Sequence, residues 1–286
     1  MIKKTAAIIL ALTIVLFLIL SKCGVWKNVS GNNFINEIET ITETKGMEEI
    51  LGGEANANDA YHIYLTAFRN AFIGDGGSLI QEIEYLEKFN DMSSVLTTHY
   101  IEYVWKKGPG GNTEMMMAFE GKENGRVYAT YIECFKDGIV YTEDNGYKYK
   151  RSGNRDPDMG FMYPFFFLQS SVKTAAVEDF GNNKKLMFSL NPENMELSDK
   201  YLFYSPINIP GGDPDFVTVE TVIDTDGEFV ELTYSYTFTS LPQDSYTDQV
   251  YIEGKVNTFN IKKGAVDIDF PEGLIEGGEY ENVDPS

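Results

Sequence analysis

Between Phe216 and Phe238 the chain alternates apolar and polar side chains in two runs that meet at Asp226-Gly227. After the turn, Val230, Leu232, Tyr234, Tyr236 and Phe238 fall on one side, and Glu231, Thr233, Ser235, Thr237 and Thr239 on the other. That period of two predicts a half-buried strand. Asp-Gly predicts a tight hairpin, because glycine accepts positive φ freely and aspartate better than most residues. A sheet with one dry face follows, and the functional question is what that face covers: core helices or a guest molecule.

The same signature recurs along the chain. Ile101, Tyr103 and Trp105 alternate with Glu102, Val104 and Lys106 until Gly108-Pro109-Gly110-Gly111 breaks the strand. Asn124-Gly125, Asp137-Gly138 and Asn145-Gly146 predict consecutive hairpins, a meander from Thr113 to Arg151 whose last strand sets Tyr147 and Tyr149 against Lys148 and Lys150. Leu186, Phe188 and Leu190 predict a further strand, and Tyr201 to Tyr204 a short one. Val250, Ile252 and Val256 predict the next, with a bulge shifting the apolar phase to Phe259 and Ile261. Val266, Ile268 and Phe270, set against Asp267 and Asp269, predict a closing strand that Pro271 ends.

Beyond the first 58 residues, helical spacing occurs in three places. Asp59 caps a helix with the stripe Tyr61, Tyr64, Leu65, Phe68 and Phe72, ended by Gly74, Gly76 and Gly77. Ser78, with Gln81 three residues on, reads as a capping box before Leu79, Ile83 and Leu86. The third follows Pro164, where Phe165, Leu168, Val172 and Ala175 form a stripe that Gly181 stops. These helices are expected to cover the sheet. The segment Phe161 to Leu168 has two readings, a stripe packed on the sheet or part of a pocket wall.

The amino terminus changes the picture from a fold to a location. Lys3 and Lys4 precede an apolar run, Ala6 to Leu20, interrupted only by Thr13. As a helix it would be roughly 22 Å long, generous for a signal segment and short for a membrane crossing. The basic flank keeps the lysines cytoplasmic and sends the rest outward. Leu20-Ser21-Lys22-Cys23 resembles a bacterial lipobox with Cys23 as the lipidated residue, although Lys22 stands where a small residue is usual. Lipidation at Cys23, an uncleaved anchor and full secretion all place the domain on the extracytoplasmic face. Residues 24–59 are polar and acidic, with a short helical spacing at Phe34, Ile38 and Ile41, and read as a tether. Residues 276–286 read as an acidic tail.

Composition narrows the chemistry. Of 286 residues 43% are hydrophobic, enough for a core, and the aromatic share of 14% comes mostly from 19 Phe and 18 Tyr, which favour strands. A net charge of −21 would repel phosphate backbones, so no nucleic-acid partner is expected. The only histidines, His62 and His99, belong to no spaced ligand motif, and Asp224 to Glu228 is a turn rather than a calcium loop. No cofactor, metal or catalytic residue is expected. A hydrolase would require one of the histidines to meet a nucleophile. Cys134 reads as a small strand core residue without a disulfide.

The order of export signal, imperfect lipobox, helix, meander, central helix and long final hairpins resembles the LolA-like and LppX-like bacterial lipoprotein carriers. The best local matches are Val222-Ile223-Asp224-Thr225-Asp226-Gly227 and Val266-Asp267-Ile268-Asp269-Phe270-Pro271-Glu272. The resemblance implies an α+β fold, a curved antiparallel sheet forming an incomplete barrel covered by helices, over residues 60–275. It also implies that inward apolar positions contact a lipid or lipid-modified protein. Phe165, Phe167, Leu168, Tyr234, Tyr236 and Phe238 are then the wall of a hydrophobic ligand site. The rival expectation is a non-enzymatic cell-surface interaction module with a filled core, meeting a protein partner through its acidic exterior.

Overall fold

The alternation of apolar and polar residues dominates the fold. The computed structural model describes residues 57–72, 75–107, 113–152, 167–195, 214–239, 249–264, 266–275 and 281–282. Cys23, the apolar run, most of the tether, Phe161 to Phe166 (including Phe165), Tyr201 to Tyr204 and all of the acidic tail but Glu281–Asn282 lie outside the described residues. Within them, α1 (Ala57–Phe72) is followed by β1 (Gly76–Phe89), β2 (Ser94–Lys107), β3 (Thr113–Glu123), β4 (Arg126–Lys136), β5 (Ile139–Asp144) and β6 (Tyr147–Ser152). Then come β7 (Val172–Phe180), β8 (Asn183–Leu190), β9 (Phe216–Ile223), β10 (Phe229–Phe238), β11 (Gln249–Lys263) and the two-residue β12 (Glu281–Asn282).

All twelve strands form one open sheet, in the order β12-β6-β5-β4-β3-β2-β1-β11-β10-β9-β8-β7. Two antiparallel meanders, β1 to β6 and β7 to β11, join where β1 pairs with β11, and β12 pairs parallel with β6. This corrects the expected α+β class. Among the described residues the sheet carries a single α-helix on one face, here the inner face, rather than a cover of several helices.

Two of the expected helices are strands, each for a readable reason. Ser78 to Leu86 lies within β1, where Leu79, Gln81, Ile83 and Tyr85 point inward and Glu82 and Glu84 outward. The buried Gln81 interrupted the apolar alternation, and its Nε2 lies 3.4 Å from Thr258 Oγ1 on β11. After Leu168 the chain makes one 3-10 turn, Gln169–Ser171, and enters β7. A register shift between Val172 and Thr174 sets Val172 opposite Leu190 and Ala175 opposite Phe188, so two inward residues stand three apart and imitate a helical stripe. The expected closing strand at Val266 to Phe270 is instead irregular chain that reaches β4, where Lys136 Nζ lies 5.2 Å from the Phe270 ring centre, and β6, where Lys148 donates to the Gly273 carbonyl.

The turn chemistry holds at three hairpins, with both central residues at positive φ in Asn124-Gly125, Asp137-Gly138 and Asn145-Gly146. Between β9 and β10 only Gly227 is at positive φ. There Asp224 closes a wider loop, its Oδ1 accepting from the Asp226 and Glu228 amides at 3.0 and 2.9 Å. A register shift next to Phe229 turns that residue inward and leaves Val230 exposed, against the expected phase, while Leu232, Tyr234, Tyr236 and Phe238 are buried as the alternation predicts.

Of the expected stripe of α1, Tyr61, Tyr64, Leu65 and Phe68 are buried on the inner face. Tyr64, fully buried, stacks on Phe167 with ring centres 4.5 Å apart and meets Phe188 of β8 and Phe229 of β10 at 5.8 and 5.9 Å. Phe68 lies edge-on to Phe229, and Tyr61 donates a hydrogen bond of 3.0 Å to the Phe167 carbonyl. The helix therefore runs across the strands, over the β7 to β1 half of the sheet. Among the described residues no helix is long and apolar enough to cross a membrane.

Candidate functional site

Strand pairing sorts the inner face into rows, because directly opposed residues share a face. In the row nearest the start of β3, Trp105, Met115, Phe135 and Val140 lie side by side on β2, β3, β4 and β5, all buried. One step toward the Asn124 and Asn145 turns, the row reads Tyr103, Met117, Glu133, Thr142 and Tyr149. The next reads Ile101, Phe119, Tyr131, Asp144 and Tyr147. Along this direction burial relaxes: Met117, Phe119, Tyr131 and Glu133 are half-buried, and Tyr147 is exposed. The dry face thus opens on the β3 to β6 wing, away from the helix.

A polar group sits in that opening. Tyr131 Oη donates to Glu133 Oε2 at 2.5 Å, and Arg151 Nη2 approaches the same oxygen at 3.5 Å. Burial and the adjacent Glu133 carboxylate hold the Tyr131 phenol well above its ordinary pKa. Directly across from Glu133, the Thr142 hydroxyl is buried and has no hydrogen-bond partner among the described residues. A buried hydroxyl left unpaired costs about 1–3 kcal/mol, so this face carries unspent hydrogen-bonding capacity.

A second polar contact lies nearer the turns. His99 Nε2 meets the Tyr128 hydroxyl at 2.6 Å, across Gly121 of the intervening strand. The Tyr128 ring covers Gly121 so closely that a Cβ there would lie 2.7 Å from it. The imidazole also packs edge-on to Tyr85 and against Phe119, and its Nδ1 is buried without a partner among the described residues. Burial lowers the His99 pKa from 6.5 to about 4. The unfolded chain therefore takes up the proton first as pH falls, and the stability tied to neutral His99 is complete above pH 6.5 and drains away toward pH 4. By pH 5 the loss is about 2 kcal/mol. His99→Gln is expected to flatten this part of the profile, read as the difference between wild-type and variant urea midpoints from pH 7 to pH 5, in which the carboxylate contributions cancel. Equal slopes would refute it.

The described residues of the sequence-predicted wall stand apart from the opening on the β3 to β6 wing. Tyr234, Tyr236 and Phe238 stand in one inward row on β10, with Tyr236 hydrogen-bonded to Tyr85 of β1, and burial pushes the phenols of Tyr85, Tyr103, Tyr234 and Tyr236 up. Phe167 is fully buried under α1, Leu168 is half-buried, and Phe165 is outside the described residues. Phe167 and the three β10 residues thus all lie in the β7 to β1 half of the inner face, away from the opening. Glu133, Arg151, Thr142 and the His99–Tyr128 contact did not emerge from sequence reasoning. Their signal was a glutamate in phase with Tyr131 and Phe135 on a strand whose other inward positions are apolar or aromatic.

His62 lies on α1, half-buried, and Cys134 is buried on the outer side of β4 with its thiol pushed up to about 12 by burial. Among the described residues no group of three or more His, Cys, Asp or Glu is placed to hold a metal ion.

No protein-family model matches the chain, and no curated protein is similar to it in sequence. Solved structures similar to it include a LolA superfamily protein from Nitrosomonas europaea, at 8% identity and a TM-score of 0.24, covering 73% of this chain and 94% of that one. A β-barrel-like protein of a domain of unknown function from Brucella abortus is similar at 8% identity and a TM-score of 0.19, over 65% of this chain and 99% of that one. At these scores neither likeness carries weight for what the chain binds.

Proposed function

We propose that the chain is a membrane-tethered extracytoplasmic binding protein that holds a hydrophobic ligand, a lipid or a lipid-modified protein, against the inner face of its sheet. The observation that carries this reading is the inner-face opening at Met117 and Phe119, where apolar positions in phase with a buried row are left half-buried beyond the footprint of α1. Open sheets of more than about ten strands curl, which favours a sheltered inner face. The tether follows from Lys3, Lys4 and the apolar run to Leu20, with Cys23 as a lipidation site. Affinity would come from burying acyl chain, at about 0.8 kcal/mol per methylene.

Native mass spectrometry of the full chain, freed from detergent in the gas phase, tests the reading. Added mass of a lipid is the expected result; a bare chain that also takes up no hydrophobic dye would sink it. A second reading, an interaction module with a filled core, is favoured by the close ring packing of Tyr64, Phe167 and Phe188, which fills the α1 half of the inner face.

A further inference from the structure

We infer that Glu133, Arg151 and Thr142 form a headgroup site for an amphiphile whose polar end is uncharged and bears hydroxyl groups, such as a monoacylglycerol. The inference rests on the proposed hydrophobic-ligand reading and deepens it by assigning the polar end of the ligand.

The geometry comes first. Glu133 and Thr142 are directly opposed on β4 and β5, and Arg151 follows from β6, opposite Val140, so all three stand on the inner face. Met117 is directly opposed to Glu133 and Phe119 to Tyr131, so the polar group borders an apolar floor on the neighbouring strand. A single-chain amphiphile laid along Met117 and Phe119 would bring its polar end to these three side chains.

Charge then selects the kind of head. Arg151 is 52% exposed and, among the described residues, reaches Glu133 through Nη2, leaving other guanidinium N–H groups for a ligand oxygen. Glu133 is 17% exposed and accepts from Tyr131 and Arg151 through Oε2. An anionic head at Arg151 would be repelled by the carboxylate 3.5 Å away, and a cationic head at Glu133 by the guanidinium. A hydroxyl both donates and accepts, so a vicinal diol satisfies the two charged groups together and suffers from neither. Thr142 adds the third partner. Its buried hydroxyl has no hydrogen-bond partner among the described residues, and a ligand oxygen beside Glu133 would supply one.

Three probes of equal chain length, each with a diazirine in the chain, separate the outcomes: a monoacylglycerol, a fatty acid and an alkyltrimethylammonium. Each is offered to the full chain held in phosphatidylcholine nanodiscs, and crosslinks are mapped by peptide mass spectrometry. The monoacylglycerol is expected to label β3 at least about fivefold more than either charged probe, and Arg151→Gln to erase most of that preference. Thr142→Val supplies a readout that a merely structural role would not give: it should raise the melting temperature, because an unpaired buried hydroxyl is removed, while lowering monoacylglycerol labelling about threefold or more. Strongest labelling by the fatty acid or the ammonium probe would overturn the headgroup site and leave the ligand reading standing. Absence of β3 labelling by all three would overturn both. Unchanged labelling in Thr142→Val would remove Thr142 from the site.

Discussion

Tyr64→Ala is expected to remove about 4 kcal/mol of stability, within the usual range for deleting a large buried aromatic side chain. Tyr64 is fully buried and meets five rings, Tyr61 and Phe68 on its own helix, Phe167 ahead of β7, Phe188 on β8 and Phe229 on β10. Those rings come from four separate parts of the chain, and none can follow the missing side chain without giving up its other contacts. The cavity should therefore persist rather than collapse. Urea unfolding of wild type and variant measures the effect. A loss under about 1 kcal/mol would mean that α1 is only loosely docked and that the inner face is more open than its ring contacts indicate.

Gly254→Ala should cost about 3 kcal/mol, a large penalty for one methyl group. Gly254 on β11 lies between Tyr85 of β1 and Tyr236 of β10, opposed to both. The Tyr236 ring lies over it, so that a Cβ would come 2.2 Å from Cζ and 2.5 Å from the hydroxyl oxygen. Tyr236 is almost fully buried, stands near Tyr234 and Phe238 and is hydrogen-bonded to Tyr85, so the ring has nowhere to move. The cause is testable by pairing. If the clash is the mechanism, Tyr236→Ala and Gly254→Ala combined should cost less than the sum of the two alone, because the alanine methyl then occupies vacated space. Strict additivity would point to a backbone effect instead. Gly77, covered by Trp105, and Gly121, covered by Tyr128, repeat the arrangement on β1 and β3.

These glycines show how far the sequence could be read. Runs with clean alternation and Asn-Gly or Asp-Gly turns gave strands β2 to β6 and β8 to β11, because one face of each is dry and the turn residues can adopt the required φ. The reading failed at Val266 to Phe270, where alternation was clean but no strand forms, and at two places where a single residue disturbed the rhythm. Gln81 in an apolar row and a bulge after Val172 each turned a period of two into an apparent period between three and four. Both segments lie in the sheet because of partners far away in sequence, Thr258 for one and Leu190 with Phe188 for the other, which no local window contains. The glycine-covering rings are equally non-local, since Gly254 alone gives no hint that Tyr236 lies above it.

The sequence showed which β10 residues face inward, but not where the inner face opens. The inward phase of Tyr234, Tyr236 and Phe238 follows from alternation alone, and all three are buried. That α1 would occupy one half of the inner face and leave the β3 to β6 wing more open does not follow from any pattern, because it depends on which way a helix is laid across strands. Glu133 and Arg151 looked like two of many charges. Only the pairing of β4 through β5 to β6 brings them together.

The seam between β1 and β11 has a consequence for how the polypeptide reaches this state. Every other antiparallel neighbour in the sheet is also the next strand along the chain, so each of those hairpins closes over a limited span. The seam alone links the two meanders, setting Gly77 against Lys263 at one end and Phe89 against Gln249 at the other. Closing so long a loop is entropically costly, and the step is rewarded only once both halves have taken shape. During synthesis, β1 would present an unpaired edge until the final long strand emerged, the interval in which a nascent chain is most exposed to aggregation.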